Sequence, residues 1–145
     1  YDPHSDIAGD HARGYRVADD GTLTDTTRWT LGLGADGGIV SNAIDEASFL
    51  TALMSGRLLG ERSRKALKTP SAVSGDYGLG IGVSDSGCTW PVYGHNGGGD
   101  GYETNVYVSG DGSRVAVLLL NGRKASSAAG DWLALAALRE LYCAA

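Results

Sequence analysis

The most informative feature of this chain is a glycine-rich stretch at residues 93–102, which we call the glycine segment. It places one imidazole, that of His95, among five glycines between Gly94 and Gly101. Glycine lets the backbone approach a ligand closely and exposes its amide, and an imidazole can donate, accept or change charge near neutral pH. Such donors suit an anionic substrate or an oxyanion. A tight glycine-rich turn with an exposed histidine is the alternative interpretation.

The residues after the glycine segment predict strands followed by a helix. Residues 102–108 alternate between two sets, which is typical of a strand with one buried face, with Glu103 and Asn105 on the polar side. Residues 109–113 form a predicted turn, and the apolar run Val115–Leu120 predicts a central strand buried on both faces. A helix follows from about Ser126. Its apolar positions are Trp132, Leu135, Leu138, Leu141 and Tyr142.

The first half of the chain carries two further helical patterns. Residues 42–55 predict a helix that Gly56 ends, and Glu61–Lys68 predicts a shorter one before Pro70. Residues 1–36 are polar and rich in turns. The apolar residues of the first helix, which we expect in the core, are Ala43, Ala47, Phe49, Leu50, Leu53 and Met54. Together with the strands, these patterns predict one α+β unit over residues 1–145, in which helices pack on an antiparallel sheet of three or more strands.

Two motifs in the first half carry no predicted chemistry. Residues 32–37 fit the dinucleotide pattern Gly-x-Gly-x-x-Gly, but no convincing strand precedes them and no parallel β-α-β unit follows. The side chains of His4, Asp6, Asp10 and His11 do not share one face of a regular element, so a solvated loop is the expected structure. We therefore predict no metal site and no cofactor.

Composition excludes several classes of partner. The 145 residues carry a net charge of -5, which argues against nucleic acid and anionic membranes as partners. No apolar run approaches the ~20 residues of a membrane-spanning helix. The chain begins with Tyr1 and has no signal-like segment, so we expect it to be a processed, truncated or cleaved product.

Five stretches, taken in order, resemble the carboxy-terminal part of the penicillin-recognising serine hydrolases. This family comprises D-alanyl-D-alanine carboxypeptidases, class C-like β-lactamases and related esterases. The similarity is strongest to secreted carboxypeptidase/transpeptidases of actinomycete type, which carry His-Thr-Gly where this chain has His95, Asn96 and Gly97. The other stretches are His-Ala-Arg-Gly-Tyr at 11–15, Gly-Gly-Ile-Val-Ser at 37–41, Tyr-Gly-Leu-Gly-Ile-Gly at 77–82, and the spacing from Cys88 to His95 with a late Cys143.

The resemblance implies a β-lactamase/transpeptidase-like fold and roles for the glycine segment. His95 is expected to assist a proton relay or to bind the substrate carboxylate. Asn96 and Gly97 are expected to bind substrate, and the amide of Gly98 to be one oxyanion donor. These residues would lie on an edge-facing strand beside the nucleophile. The implied function is acyl transfer on D-alanyl-D-alanine ends of cell-wall peptides, with susceptibility to β-lactams.

The resemblance also shows which parts are missing from this chain. The family's nucleophile lies in Ser-x-x-Lys and a second base in Tyr-x-Asn. Ser-x-x-Lys does not occur in this sequence, and the similar Tyr-Val-Ser at 107–109 lies at the end of a predicted strand, which is the wrong place. We therefore expect this chain alone to be inactive. A complementary amino-terminal chain carrying both motifs, or a second copy, would have to cover an exposed sheet edge and an apolar face. A non-catalytic binding or structural remnant is the alternative function.

Two departures leave the substrate open, and two cysteines suggest the compartment. Asn96 replaces a hydroxyl residue, and Gly82 stands where the closest subgroup carries an arginine, so a β-lactamase, amidase or esterase is an alternative. The resemblance to secreted enzymes implies a disulfide between Cys88 and Cys143, and with it a secreted protein.

Overall fold

A computed structural model describes most of this chain. The described residues are 7, 9–28, 34–35, 37–84, 90–99, 101–124 and 128–143. For residues 124 and 128–135 it describes the backbone alone. The elements in chain order are β1 (Tyr15–Val17), β2 (Leu23–Asp25), α1 (Ala43–Ser55), α2 (Glu61–Lys68), β3 (Gly82–Ser84), β4 (Val92–Gly99), β5 (Tyr102–Ser109), β6 (Val115–Leu120), β7 (Gly122–Lys124) and α3 (Ala128–Cys143).

The main sheet has four antiparallel strands in the order β3-β4-β5-β6. Together with the helices on its faces, it confirms the predicted α+β class with an antiparallel sheet. The glycine segment is a strand, as the resemblance implied, and not the tight turn of the alternative interpretation. His95 lies opposite Val106 and Gly99 opposite Tyr102, so β4 continues as a strand through the glycines. Pairing with β5 along its whole length overrides the weak strand preference of glycine.

The prediction that Val115–Leu120 is a central strand buried on both faces is wrong. In the described structure β6 is the last strand of the sheet, with β5 on its only paired side. Its residues are mostly half-buried, and Leu119 is 40% exposed. A continuous apolar run indicates that both faces of a strand are apolar, but it does not indicate whether a neighbouring strand pairs with each edge. The exposed sheet edge that the resemblance implied is therefore present at β6.

A second, smaller sheet was not predicted. Its order is β2-β1-β7, with β1 and β2 antiparallel and β1 and β7 parallel. The polar segment before residue 36 thus holds a hairpin, closed by hydrogen bonds between Ala18, Gly21 and Thr22. Gly122, which follows β6 after one residue, begins the third strand of this sheet, β7.

Helix α1 has the predicted bounds and packs on one face of the main sheet. The Asn42 side chain accepts hydrogen bonds from the first turn, and Gly56 ends the helix with φ at 90°. Leu50 and Met54 pack with Ile81, Val106 and Val108 in the core. The prediction that Phe49 is a core residue is wrong, because its side chain is 53% exposed. α2 also has its predicted bounds.

Helix α3 covers the opposite face of the sheet. The ring of Tyr142 meets that of Tyr107 edge to face at 6.0 Å, and Leu138 is fully buried. Burial raises the pKa of Tyr107, and the charge of Arg139 partly offsets this rise. Leu141, predicted on the apolar side of the helix, is 67% exposed. None of the described helices is long and apolar enough to span a lipid bilayer.

Candidate functional site

The predicted site residues lie next to one another on β4 and alternate between the two faces of the sheet. His95 shares its face with Val106, on the α1 side, while Asn96 lies opposite Asn105 on the α3 side. Gly97 follows His95, and Gly98 follows Asn96, in the same alternation. All four residues are exposed. The structure therefore presents the predicted residues on one accessible strand.

The exposed part of β4 also has an unpaired edge within the described structure. Strand β3 pairs with β4 only up to Gly94, and from His95 onward β4 pairs with β5 alone. In an antiparallel strand, the N–H and C=O groups of alternate residues point to each side. Part of the backbone polar groups of residues 95–99 therefore faces an edge that the described residues leave open, and an extended ligand can bind there by strand addition.

The imidazole of His95 is held between two oxygen atoms. Its Nδ1 lies 2.5 Å from the carbonyl oxygen of Asn96, and its Nε2 lies 2.6 Å from the hydroxyl of Tyr77. The rings of Tyr77 and His95 also meet edge to face, with their centroids 5.7 Å apart. Tyr77 thus makes both a polar and an aromatic contact with the predicted site.

No sequence pattern predicted a role for Tyr77. The residue begins the stretch 77–82, which contributed to the family resemblance, but it stands 18 positions before His95. No local periodicity connects residues so far apart. An isolated bridge between Tyr77 and Gly82 fixes the tyrosine backbone next to β3, and β3 in turn pairs with β4. The contact is therefore a product of the sheet topology.

On the other face, β5 provides a buried polar layer below Asn96 and Gly98. The Asn105 amide donates to a carboxylate oxygen of Glu103 at 2.8 Å, and the two side chains are 1% and 6% exposed. The prediction that they lie on the polar, outward side of β5 is wrong, because α3 makes this face a second interior. Their hydrogen bond offsets part of the cost of burying both groups.

A cation lies over Gly98. A Cβ built on this glycine would stand 3.1 Å from Cζ of Arg123, a residue of β7. The Arg123 Nε is buried and has no hydrogen-bond partner among the described residues. Because position 98 has no side chain, the guanidinium can approach the strand backbone here. The positive charge thus lies beside the predicted oxyanion donor.

The predicted disulfide falls partly outside the described residues. Cys143 ends α3, and the described part of the chain contains no free cysteine. Cys88 lies outside the described residues, so its pairing with Cys143 stays a prediction. Within the described residues, no group of three or more histidine, cysteine or acidic side chains is arranged to hold a metal ion.

Comparison with known proteins places this geometry in a family. The profile of the family described as Beta-lactamase matches residues 2–140. The structure of a D-stereospecific amidohydrolase from Streptomyces sp. matches with a TM-score of 0.71 and 25% identity, over 81% of this chain and 37% of the other. D-amino acid amidase from Ochrobactrum anthropi SV3, complexed with L-phenylalanine amide, matches with a TM-score of 0.65 and 26% identity, over 79% and 36%.

The same amidase complexed with D-phenylalanine gives a TM-score of 0.57. This chain spans between 36% and 39% of the length of these solved relatives. The family match, by contrast, covers nearly all of this chain. From this match and the shared fold, the chain belongs to the beta-lactamase family of serine hydrolases.

Proposed function

We propose that this chain supplies the substrate-binding strand and one oxyanion donor of a serine acyl-transfer hydrolase. The observation that carries the proposal is the unpaired edge of β4, where exposed His95, Asn96, Gly97 and Gly98 follow one another. A peptide or a β-lactam can lie along such an edge as an added strand. The nucleophile of this reaction lies outside the chain.

In the proposed reaction, a serine hydroxyl of Ser-x-x-Lys attacks the scissile carbonyl carbon. Its proton passes to a base, a new C–O bond forms, and the carbonyl oxygen becomes an oxyanion. The Gly98 amide and the amide of the nucleophile donate to that oxygen. The C–N bond then breaks, and the leaving amine takes a proton. His95 takes part in this proton transfer or holds a substrate carboxylate, and Asn96 contacts the substrate beside it.

The substrate that we propose from the sequence resemblance is a D-alanyl-D-alanine peptide of the cell wall. A D-amino acid amide is the second candidate. It is favoured by Gly82, which supplies no cation for a substrate carboxylate, and by the D-specific amidases among the solved relatives. A β-lactam or an ester would react by the same acyl transfer.

The missing part of the enzyme is proposed to be a complementary amino-terminal chain with Ser-x-x-Lys and Tyr-x-Asn. The described structure exposes apolar side chains ahead of and within α1, with Ile39 88% exposed and Ile44 78% exposed. A cavity of about 600 Å³ opens between α1 and β6, lined in part by Ile44, Val115 and Val117. Together with the open edge of β6, this surface supports a covering partner. A second copy of this chain is the alternative covering partner.

We also propose that the protein is secreted and that Cys88 and Cys143 form a disulfide. Mass measurement with and without reduction, after alkylation of free thiols, tests the bridge. An oxidised chain takes no label before reduction and two labels after it. Labelling of both cysteines without reduction would contradict the bridge and remove the main argument for an extracellular compartment.

A fluorescent penicillin tests the acyl-transfer function. The 145-residue chain alone is expected to form no covalent adduct, because it lacks the activated serine. The chain combined with the amino-terminal part is expected to form one adduct, on the serine of Ser-x-x-Lys. An adduct on a serine of this chain, or no adduct in the combined protein, would contradict the proposal. Hydrolysis of a D-alanyl-D-alanine peptide and of a D-amino acid amide by the combined protein then separates the two substrate classes.

A further inference from the structure

The hydroxyl of Tyr77 lies 2.6 Å from Nε2 of His95, and nothing in the family resemblance gives Tyr77 a role. We propose that Tyr77 is a positioning residue that fixes the orientation of the His95 imidazole and, through that orientation, its tautomer. The structural part of this inference stands on the chain itself. Its catalytic consequence rests on the proposed function.

The two partners of the imidazole define one tautomer when the ring is neutral. A carbonyl oxygen can only accept, so the contact with the Asn96 oxygen requires the proton on Nδ1. Nε2 then carries the lone pair and accepts the hydroxyl proton of Tyr77. The ring therefore has Nδ1–H facing its own strand and a basic Nε2 facing the tyrosine. The other tautomer would place a lone pair against the Asn96 carbonyl, although the phenol could accept from Nε2–H. The Asn96 carbonyl therefore selects the tautomer, and Tyr77 holds the ring in the orientation in which that contact forms.

The backbone and the ring of Tyr77 are held firmly enough to orient the His95 imidazole. Its carbonyl accepts from the Ser74 hydroxyl, and its backbone bridges to Gly82 at the start of β3. The next residue, Gly78, donates to the carbonyl of Ile81 at 2.8 Å, which closes the turn between them. These contacts fix the backbone, and the edge-to-face contact with His95 fixes the ring.

Gly82 explains how the tyrosine ring reaches His95. A Cβ built on this glycine would lie 3.7 Å from Cδ2 of Tyr77, which is ordinary contact distance. The ring therefore packs against the surface of the glycine. A long side chain at position 82 would have to share this space. The same glycine that supplies no cation to the site thus packs against the neutral phenol that lies beside the imidazole.

For catalysis, the consequence is that Nε2 is the basic atom of the neutral ring and that its lone pair points in a defined direction. Without the hydroxyl, the His95 ring would rotate more freely on an exposed strand and would lose its contact with the Asn96 carbonyl part of the time, so both tautomers would be populated. In acyl-transfer enzymes the tautomer and orientation of such an imidazole are normally fixed by a third group. Tyr77 provides that group here.

The first test uses nitrogen NMR of the imidazoles in the 145-residue chain at about pH 8, where an unperturbed histidine is neutral. The chain has three histidines, so their signals can be assigned by substitution. We expect His95 to show a protonated Nδ1 and an unprotonated Nε2. Tyr77→Phe keeps the ring and removes the hydroxyl, so it is expected to give a mixture of tautomers at His95 alone. An unchanged tautomer would overturn the inference.

A matched control is Tyr102→Phe. Its hydroxyl makes a hydrogen bond of similar length, 2.8 Å, but to the carbonyl of Ala12 and away from His95. This variant is expected to leave the His95 tautomer as in wild type. A tautomer change as large as that of Tyr77→Phe would overturn the inference, because any lost phenol would then have the same effect. The signals of His11 provide an internal reference in both variants.

The second test measures kinetics on the combined, active protein. Tyr77→Phe is expected to lower kcat about tenfold with little change in KM, which is the size of one lost hydrogen bond in the transition state. In a His95→Asn background the same change is expected to have no further effect on kcat. A tenfold loss that persists in that background would overturn the inference. If wild type shows no acyl transfer at all, the proposed function fails, and the NMR result still decides the structural claim.

Discussion

The guanidinium of Arg123 lies over the backbone of Gly98, where the missing Cβ would stand 3.1 Å from Cζ. Arg123 belongs to β7 of the small sheet, and Gly98 belongs to β4 of the main sheet. The site therefore forms where the two sheets meet. A side chain at position 98 would push the cation away from the strand that we propose to carry the oxyanion donor.

This relationship leads to a paired prediction at Gly98. Gly98→Pro deletes the amide, so kcat of the combined enzyme is expected to fall roughly 100-fold or more. Gly98→Ala keeps the amide, and its Cβ meets only the far end of the flexible Arg123 side chain. We expect kcat of the alanine variant to stay within about threefold of wild type, because the amide at position 98 can still donate its hydrogen bond to the oxyanion.

Thermal unfolding of both variants is the necessary control for the Gly98 pair, because proline can also disturb the pairing of β4 with β5. Near-normal acylation by a folded Gly98→Pro variant would show that this amide is not the oxyanion donor. An equal loss of activity in both variants would assign the effect to Arg123 instead.

Much of the fold could be predicted because its signals are local. Asn42 and Gly56 mark the two ends of α1 within the helix itself, and the structure places both caps there. The four-stranded sheet was also predicted in type, since alternation and turn residues are local as well. The alternative interpretation of a tight turn around Gly97 was wrong, because glycine composition does not reveal a full-length partner strand.

The rest depends on contacts between distant parts of the chain. Strands β1 and β2 have three residues each, which is too short for alternation to be recognised. The burial of Glu103 was missed because a polar residue in a strand is normally exposed, and distant parts of the chain cover that face. The pairing of Tyr77 with His95 depends on the bridge from Tyr77 to Gly82 and on the pairing of β3 with β4, and no sequence motif predicts these contacts.

The N-cap of α1 gives a prediction on stability. The Asn42 side-chain oxygen accepts from the amides of Ile44 and Asp45, each at 3.0 Å. Asn42→Ala leaves both donors without this partner and is expected to lower the free energy of unfolding by about 1 kcal/mol in urea titrations. The neighbouring Ser41→Ala is a control expected within about 0.5 kcal/mol of wild type. Equal effects of the two changes would contradict the cap.

Gly112 gives a prediction that separates backbone strain from crowding. Its φ of +76° is strained for any other residue, and an added Cβ would stand 2.8 Å from the carbonyl oxygen of Thr51 in α1. Gly75 has a similar φ of +67° but meets nothing within 4 Å. Gly75→Ala is expected to cost about 1 kcal/mol of unfolding free energy from strain alone. Gly112→Ala is expected to cost at least about 1 kcal/mol more, because helix backbone cannot move aside easily. Equal losses in urea titrations would show that the turn shifts away from α1 freely.

The turn between β5 and β6 gives a prediction on pH. The carboxylate of Asp111 accepts hydrogen bonds from the Ser109 hydroxyl and from the amide and hydroxyl of Ser113. These bonds, of which the one from Ser109 has the largest effect, hold the pKa of the carboxyl far below its usual range. A lowered folded-state pKa adds stability above the unfolded pKa of about 3.9, and this stability is lost as pH falls toward the folded value. The side chain in Asp111→Asn cannot titrate.

The difference in unfolding free energy between wild type and Asp111→Asn is therefore expected to be constant above about pH 5 and to shrink between about pH 4 and pH 2. In a Ser113→Ala background, which lacks one donor, the change on acidification is expected to be smaller. A difference that does not vary with pH would show that the charge of Asp111 does not stabilise this turn.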